Sequence, residues 1–331
     1  MTSNNYLSII LFAALFFLIE ILYFRIANHF NIVDKPNHRS SHSNIAIRGG
    51  GIIFPLAILL YYPFSSSTSA YSWFCLGLLL ISFISFSDDI NPVSNRIRLS
   101  IHTLAVSFLF YGLGLFNYPL WSILLSYILV IGTINAYNFM DGINGITGLY
   151  SLSFLLSIIW LNRSNHFIDA TLLMPLLATI FVFLFFNLRK KAKCFSGDVG
   201  SISMAFIICF LLISLVITYH NLIYIGFILI YGLDAVSTIV FRLARNENIF
   251  EAHRSHFYQF LVNEKKISAL WVSFSYAFIQ ILINTFLINE YGNAPGLHLM
   301  PLLYIITVFS GIFIGLRFAV EGKKALYAAK G

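Results

Sequence analysis

Two adjacent carboxylates, Asp88 and Asp89, end a long apolar run, just before Asn91 and Pro92. Neighbouring acids repel each other, and removing them from water at a membrane boundary is costly. A divalent cation or a positively charged partner would relieve both costs. Acids at the C-terminal end of a helix also oppose its macrodipole, so a ligand-binding role is favoured over a merely solvated helix end.

A second polar cluster, Asn135–Gly145, lies between two apolar runs. Asn135, Asn138 and Asp141 are spaced three residues apart, so a helical turn would stack their polar groups on one face. The glycines permit a tight turn and let a ligand approach the backbone. An ordinary polar turn is the alternative, but this density of polar groups at membrane level favours a binding site.

A third cluster, Phe195–Ser201, opens another apolar run with Gly197, Asp198 and Gly200. Backbone N–H groups at a glycine-rich helix N-terminus form a natural cradle for phosphate. Asp198 would then supply an oxygen ligand for Mg²⁺, which prefers few carboxylates together with substrate phosphate. The alternative makes Asp198 a simple N-cap, and this motif alone does not decide between the two.

Two basic clusters contain two histidines each. Loop 242–266 places His253 and His256 three residues apart, with Arg254 between them. Two helical histidines could ligate zinc, but HExxH is absent and no third ligand is evident. Arg and His are better suited to grip a diphosphate, and the alternative is a basic loop that touches lipid headgroups.

The other basic cluster runs from Asp34 to His42 and continues to Arg48, which precedes three glycines. Such a segment at a helix start suits an anionic phosphorylated ligand, and its alternative is topogenic charge with a flexible turn. Asp234, inside a later apolar run, has two interpretations: a charge that supports the site or a satisfied buried acid.

The composition identifies the class of protein that must position these clusters. The 331 residues are 59% hydrophobic and only 10% charged, whereas soluble domains carry about 25% charged residues. Continuous apolar runs such as 202–217 do not alternate as barrel strands do. Three cysteines show no disulfide framework. We predict an all-α, polytopic helical membrane protein, with one domain over residues 1–331.

The positions of Lys and Arg predict the topology. All but one of the twenty fall in alternate gaps between apolar runs, Arg163 being the exception. The positive-inside bias therefore predicts about eleven membrane-spanning helices, with the N-terminus outside and the C-terminus cytoplasmic. The predicted spans are about 6–24, 49–63, 72–87, 99–115, 119–137, 145–161, 168–187, 199–218, 221–241, 267–288 and 299–317. The predicted cytoplasmic stretches are 25–48, 88–98, 138–144, 188–198, 242–266 and the tail from Arg317.

The five clusters, taken in this order, resemble the polyprenyl-phosphate sugar-1-phosphate transferases over roughly Asp34 to Gln259. Asn135–Gly145 and Gly197–Ser201 are the most specific parts. The segment from Glu251 is most similar to enzymes that initiate O-antigen and related surface polysaccharides. The resemblance implies transfer of an N-acetyl-aminosugar-1-phosphate from a UDP-sugar to undecaprenyl phosphate, with release of UMP. It also implies the bacterial inner membrane, with the active site on the cytoplasmic face.

The resemblance further implies a role for particular residues. Asp198, with Asp89, would hold Mg²⁺, for which Mn²⁺ can substitute, and Phe195 would stack on uracil. The residues implied for catalysis are Asp88, Asp89, His253 and His256, and those implied for substrate binding are Arg48, Asn135, Asn138, Asp141, Phe195 and Arg254.

Partners and competing functions follow from the same clusters. We expect undecaprenyl phosphate, a UDP-N-acetyl-aminosugar and membrane lipid as partners. We expect no nucleic acid, because the net charge of +7 is spread over short loops. The oligomeric state stays open, a homodimer included. The competing function is a transporter or flippase, which would place its binding residues near the bilayer midplane.

Overall fold

The computed structural model describes residues 3–34, 45–64, 69–165, 167–248, 254–292, 294 and 296–322. Two-residue strands, β1 (Val33–Asp34) and β2 (Ala46–Ile47), form an antiparallel pair. The rest of these residues are mainly helical, in twelve α-helices: α1 Ser3–His29, α2 Ile53–Tyr61, α3 Ser69–Ile90, α4 Asn95–Gly112, α5 Leu120–Met140, α6 Ile146–Asn165, α7 Ala170–Asn187, α8 Gly197–Tyr219, α9 Leu229–Ala244, α10 Phe257–Asn263, α11 Ala269–Tyr291 and α12 Leu299–Glu321.

The predicted fold class, an all-α polytopic membrane protein, is confirmed. Within the described ranges, nine helical segments are long and apolar enough to cross a membrane. The other two predicted spans correspond to α2, which has nine residues, and α4, whose first turn contains Arg96 and Arg98. The count of eleven spans and the orientation in the membrane stay predictions.

Two of the predicted loops are shorter than expected, because the helices continue past the apolar runs. Helix α3 ends at Ile90 and α4 begins at Asn95, so little of the predicted loop 88–98 is irregular. Helix α5 continues to Met140, so the predicted loop 138–144 was wrong at its start. Hydropathy marks where side chains become polar, whereas a helix ends only where its backbone bonding stops.

The helix ends that bear the polar clusters meet at one end of the bundle. Asn187, at the end of α7, accepts a hydrogen bond from Gly145 N–H at 2.6 Å and donates one to the Cys194 carbonyl at 2.8 Å. Ser273, near the start of α11, donates to the Asn144 carbonyl at 2.8 Å. These bonds hold the segment before α6, the start of α11 and the segment before α8 together.

A close contact between glycines sets the position of α8 against the turn that precedes α2. A Cβ on Gly51 would overlap the Cα of Gly200, and a Cβ on Gly200 would lie 2.6 Å from the Cα of Gly51. The Gly51 N–H also donates to the Ser196 carbonyl at 3.0 Å. The turn that follows Arg48 therefore lies directly on the N-terminal end of α8.

We expect Gly200→Ala to destabilise the protein by about 1–3 kcal/mol, because the added methyl group meets backbone that cannot move aside. The matched control is Gly232→Ala in α9, where a Cβ would have no neighbour within 4 Å among the described residues. That change should stabilise the helix by roughly 0.5–1 kcal/mol. Thermal unfolding in detergent measures both, and a Gly200→Ala variant as stable as Gly232→Ala would contradict the packing described.

Candidate active site

Asp89 fixes the start of α8 through its carboxylate. Its two oxygens accept hydrogen bonds from the backbone N–H groups of Asp198 and Val199, each at 2.9 Å. The Arg48 Nε lies 2.7 Å from the same carboxylate, whose side chain is fully buried. A carboxylate at a helix N-terminus satisfies donors that the helix cannot satisfy itself and interacts favourably with the helix dipole.

Two sequence-based expectations for α8 are therefore corrected. The phosphate cradle predicted at its N-terminus was wrong for the N–H groups of Asp198 and Val199, because the chain's own Asp89 occupies them. The alternative of Asp198 as a simple N-cap was also wrong, since the N-cap is Ser196 and Asp198 lies within the first turn. Gly197 permits the close approach, because it has φ +69° and its Cβ would lie 2.5 Å from Asp89.

Asp198 is held more loosely than Asp89. Its oxygens lie 3.4 Å from Arg98 Nη2 and 3.7 Å from Arg48 Nη2, both longer than a good hydrogen bond. Asp88, in contrast, pairs with Arg98 Nη1 at 2.8 Å and accepts the Val93 N–H at 2.6 Å. Asp198 also shares a hydrogen bond with the Asp88 carboxyl. It lacks the short guanidinium contact that Asp88 and Asp89 each have, so it is the carboxylate whose ion pairs a ligand can most easily replace.

These side chains form what we call the ion-pair cluster: Asp88, Asp89 and Asp198 with Arg48 and Arg98. Burial lowers the pKa of Arg48, but the adjacent Asp89 and Asp198 raise it by more, so its pKa lies above its usual value. Burial and the nearby Asp89 raise the pKa of Asp198 to about 7, because a further negative charge is costly at this place. A cation bound at Asp198 would offset that cost.

Asp141 and Asn138 connect the end of α5 to the start of α8. Asp141 accepts hydrogen bonds from the hydroxyls of Thr147, at 2.5 Å, and Ser196. Burial raises the pKa of Asp141 to about 7, although these two hydrogen bonds oppose the rise. Asn138 accepts a hydrogen bond from the Ser201 hydroxyl at 2.7 Å. The second and third sequence clusters are therefore adjacent in the fold.

Asn135 and Phe195 are not members of the ion-pair cluster. Asn135 donates its side-chain N–H to the Ile131 carbonyl of its own helix at 2.9 Å, a local bond that does not reach α8. Phe195 is half-buried. Its N–H donates to the Ile47 carbonyl and its carbonyl accepts from the Gly50 N–H, each at 2.8 Å. Its position between Arg48 and α8 is next to the ion-pair cluster, and its stacking on uracil stays a prediction.

Asp234 fixes the start of α10 as Asp89 fixes α8. Its oxygens accept hydrogen bonds from the N–H groups of Phe257 at 2.9 Å and Tyr258 at 3.2 Å, and from the Tyr276 hydroxyl at 2.7 Å. His256 Nδ1 lies 3.4 Å from the same carboxylate. Asp234 is thus a satisfied buried acid, and through these bonds it also fixes the helix that His256 precedes.

Helix α10 packs on the turn that holds Asp141. The Tyr258 hydroxyl donates to the Phe139 carbonyl at 2.9 Å, and a Cβ on Gly142 would overlap that hydroxyl. His256 is buried with its ring 6.3 Å from that of Phe139. Arg254 is half-buried two residues before His256. The predicted site residue His253 lies outside the described residues, together with Glu251 and the basic segment 35–44.

Sequence reasoning missed several residues that support the site. Tyr23 donates its hydroxyl to the Arg48 carbonyl at 2.5 Å. Glu20 is fully buried on α1, with the Cys194 thiol 3.6 Å from its Oε1. A carboxylate inside an apolar run is a signal that would have identified Glu20. Arg98 lay inside a predicted site loop, but its pairing with two carboxylates is visible only in three dimensions.

The residues present fit Mg²⁺ bound jointly with a phosphorylated substrate. Among the described residues, no three His, Cys, Asp or Glu side chains form a metal site by themselves. Mg²⁺ usually takes only one or two carboxylates and completes its shell with phosphate and water. Asp198 is suited to that role, with Asp88 nearby. Asp89 already has hydrogen bonds to both oxygens, so its role as a ligand stays a prediction.

Comparisons with known proteins found similar sequences. Residues 71–216 match the family described as glycosyl transferase family 4. The undecaprenyl-phosphate α-N-acetylglucosaminyl 1-phosphate transferase of Escherichia coli K12 is 31% identical over 239 residues, which are 64% of this chain and 62% of that protein. The phospho-N-acetylmuramoyl-pentapeptide-transferase of Thermotoga neapolitana is 23% identical over 258 residues, which are 72% of this chain and 83% of that protein. The chain thus spans just under two thirds of the length of the first relative. The chain is therefore similar to glycosyl transferase family 4 over residues 71–216, and these relatives confirm the resemblance to the polyprenyl-phosphate sugar-1-phosphate transferases.

Proposed function

We propose that the chain transfers an N-acetyl-aminosugar-1-phosphate from a UDP-sugar to undecaprenyl phosphate, giving undecaprenyl-diphosphate-sugar and UMP. The observation that carries the proposal is the ion-pair cluster, whose five charged side chains come from four separate segments and meet at one end of the bundle. The relatives' names, which state sugar-phosphate transfer and, in one case, undecaprenyl phosphate, support it.

The charges of the cluster suit phosphoryl transfer between two anions. Such reactions depend mainly on positioning and on neutralising charge, with little covalent work for the protein. Arg98 already contacts both Asp88 and Asp198, so its guanidinium can exchange part of that pairing for a phosphate. Asp88 would keep the lipid phosphate deprotonated and aligned, while Asp89 holds the start of α8 in place.

Mg²⁺ is the cofactor in this proposal, and Mn²⁺ can substitute. Asp198 would hold it, with Asp88 nearby, because these carboxylates are not saturated by backbone donors. When bound, the cation would screen the charge of the donor diphosphate. Arg48 keeps Asp89 paired, so the start of α8 does not depend on the metal.

The donor would bind on the α5 and α10 side of the cluster. Asn138 and Asp141 would contact the nucleoside-sugar part, Phe195 would stack on uracil, and His256 and Arg254 would lie near the diphosphate. Because UDP-sugars are soluble in the cytoplasm, the site would face that side of the bacterial inner membrane, in agreement with the charge asymmetry of the loops. A role in starting an O-antigen type of polysaccharide completes the proposal.

The buried polar groups at mid-membrane level argue against a transporter. Gln280 donates to Asn284 at 2.7 Å and accepts from the Tyr150 hydroxyl at 2.6 Å, and Asn284 donates to Ser157 at 3.0 Å. These side chains are fully buried and bond one another. They therefore hold α6 and α11 together, whereas a transporter would present such groups to its substrate.

Asp198→Asn and Asp88→Asn should each lower kcat by about 100-fold or more, since each removes charge that the transition state requires. UMP release from undecaprenyl phosphate and a panel of UDP-N-acetyl-aminosugars is the measurement. The matched control is Asp169→Asn, since Asp169 caps α7 at the other end of the bundle and Asn retains a capping oxygen. Normal turnover in a folded Asp198→Asn or Asp88→Asn variant would refute the corresponding role.

Removing divalent cations with EDTA should stop UMP release, and adding Mg²⁺ or Mn²⁺ should restore it, because the proposed cation screens the charge of the donor diphosphate. Removing the metal should change the unfolding temperature little, because the bonds that Asp89 makes to α8 and to Arg48 do not involve a metal ion. Full turnover in EDTA would eliminate the cation from the proposal. Substrate movement into vesicles without UMP release would favour the transporter instead.

A further inference from the structure

Arg317, near the end of α12, is fully buried and binds two other parts of the chain. Its Nη1 donates to the hydroxyls of Ser237 and Thr238 on α9, both at 2.9 Å, and its Nη2 donates to the Ser255 carbonyl at 2.9 Å. Its Nε donates to Glu321 at 2.6 Å. Every nitrogen of the guanidinium therefore has a partner.

A basic residue that only sets the orientation in the membrane would be exposed, whereas Arg317 is buried. The sequence predicted that Arg317 begins a cytoplasmic tail, and that side of the membrane stays a prediction. In the structure Arg317 lies within α12, and its side chain is buried in the protein. Most of the residues of α12 are exposed. Burying a guanidinium is costly unless it is paired with an opposite charge. Here the Glu321 carboxylate neutralises it, and the Arg317 Cζ lies 4.7 Å from the centre of the Phe241 ring.

The segment that Arg317 holds leads directly into His256. Arg317 binds the carbonyl of Ser255, and Asp234 binds the N–H groups of Phe257 and Tyr258. Thr238 joins the two, since its hydroxyl accepts from Arg317 and donates to Asp234 at 3.2 Å. The residues on both sides of His256 are thus fixed by one continuous network.

We propose that Arg317 is a positioning residue for the donor side of the site, which sets the place of His256 against the Asp141 turn. The inference rests on the proposed function, because it assigns His256 to the donor diphosphate. It makes α12, which lies outside the matched family region 71–216, part of the transfer machinery. A lysine would not replace Arg317, because only the planar guanidinium reaches four acceptors at once.

The test compares Arg317→Lys with Arg163→Lys in the full-length purified protein, since Arg163 is exposed at the end of α6. Arg317→Lys should accelerate amide hydrogen exchange in the segment 256–260, a readout that does not need activity. It should also raise KM for the UDP-sugar by about tenfold while KM for undecaprenyl phosphate stays unchanged, as expected for loss of positioning on one substrate. Arg163→Lys should change neither.

Ser237→Ala keeps the inference testable if Arg317→Lys does not fold. This variant removes one acceptor of Arg317 and leaves its charge paired with Glu321 and the Thr238 bond to Asp234 intact, so the same pattern should appear at smaller size. Unchanged exchange in 256–260, or an equal rise in both KM values, would overturn the positioning role. If the unmodified protein releases no UMP with any UDP-sugar, the proposed function fails, while the exchange experiment still decides whether Arg317 fixes the segment.

Discussion

A buried aspartate that accepts the first backbone N–H groups of a distant helix is the interaction on which this structure depends. Asp89 does this for α8 and Asp234 for α10. At membrane level, an unsatisfied helix N-terminus and an unpaired carboxylate are each costly. Pairing them removes both costs. Asp89 in this way also fixes a segment far away in the chain, since Asp89 and Asp198 are 109 residues apart.

This pairing separates residues that hold the site from residues that are free to react. The oxygens of Asp89 are engaged by two backbone donors and Arg48. Asp198 has long contacts with two guanidiniums and a hydrogen bond with the Asp88 carboxyl. The same division recurs on the donor side, where Asp234 and Arg317 fix the backbone on both sides of His256. Rigid partners beside loosely paired carboxylates are what a phosphoryl-transfer site requires, because its substrates must replace some of the existing contacts.

Sequence reasoning predicted the helices and the polar clusters well, because both leave local patterns. Apolar runs located most of the helices to within a few residues. Asp88, Asp141 and Asp198 were each selected from their neighbours in the sequence, and their roles stay predictions. The phosphate cradle on α8 was wrong because the partner of those N–H groups is Asp89, which no local pattern reveals. Arg317 was assigned to a basic tail for the same reason: burial results from packing between α9, α12 and the segment before α10. Long-range pairing is therefore the part that required the structure.

The most direct measurement compares Asp89→Asn with Asp198→Asn, recording the unfolding temperature and UMP release of each. Asparagine at position 89 has one oxygen in place of two, so that variant should lose stability as well as turnover. Asparagine at position 198 loses only the long ion pairs, and its amide can still form a hydrogen bond with Asp88. Its unfolding temperature should therefore stay close to that of the unmodified protein while UMP release is lost. An Asp89→Asn variant of unchanged stability, or an Asp198→Asn variant with full turnover, would contradict the account.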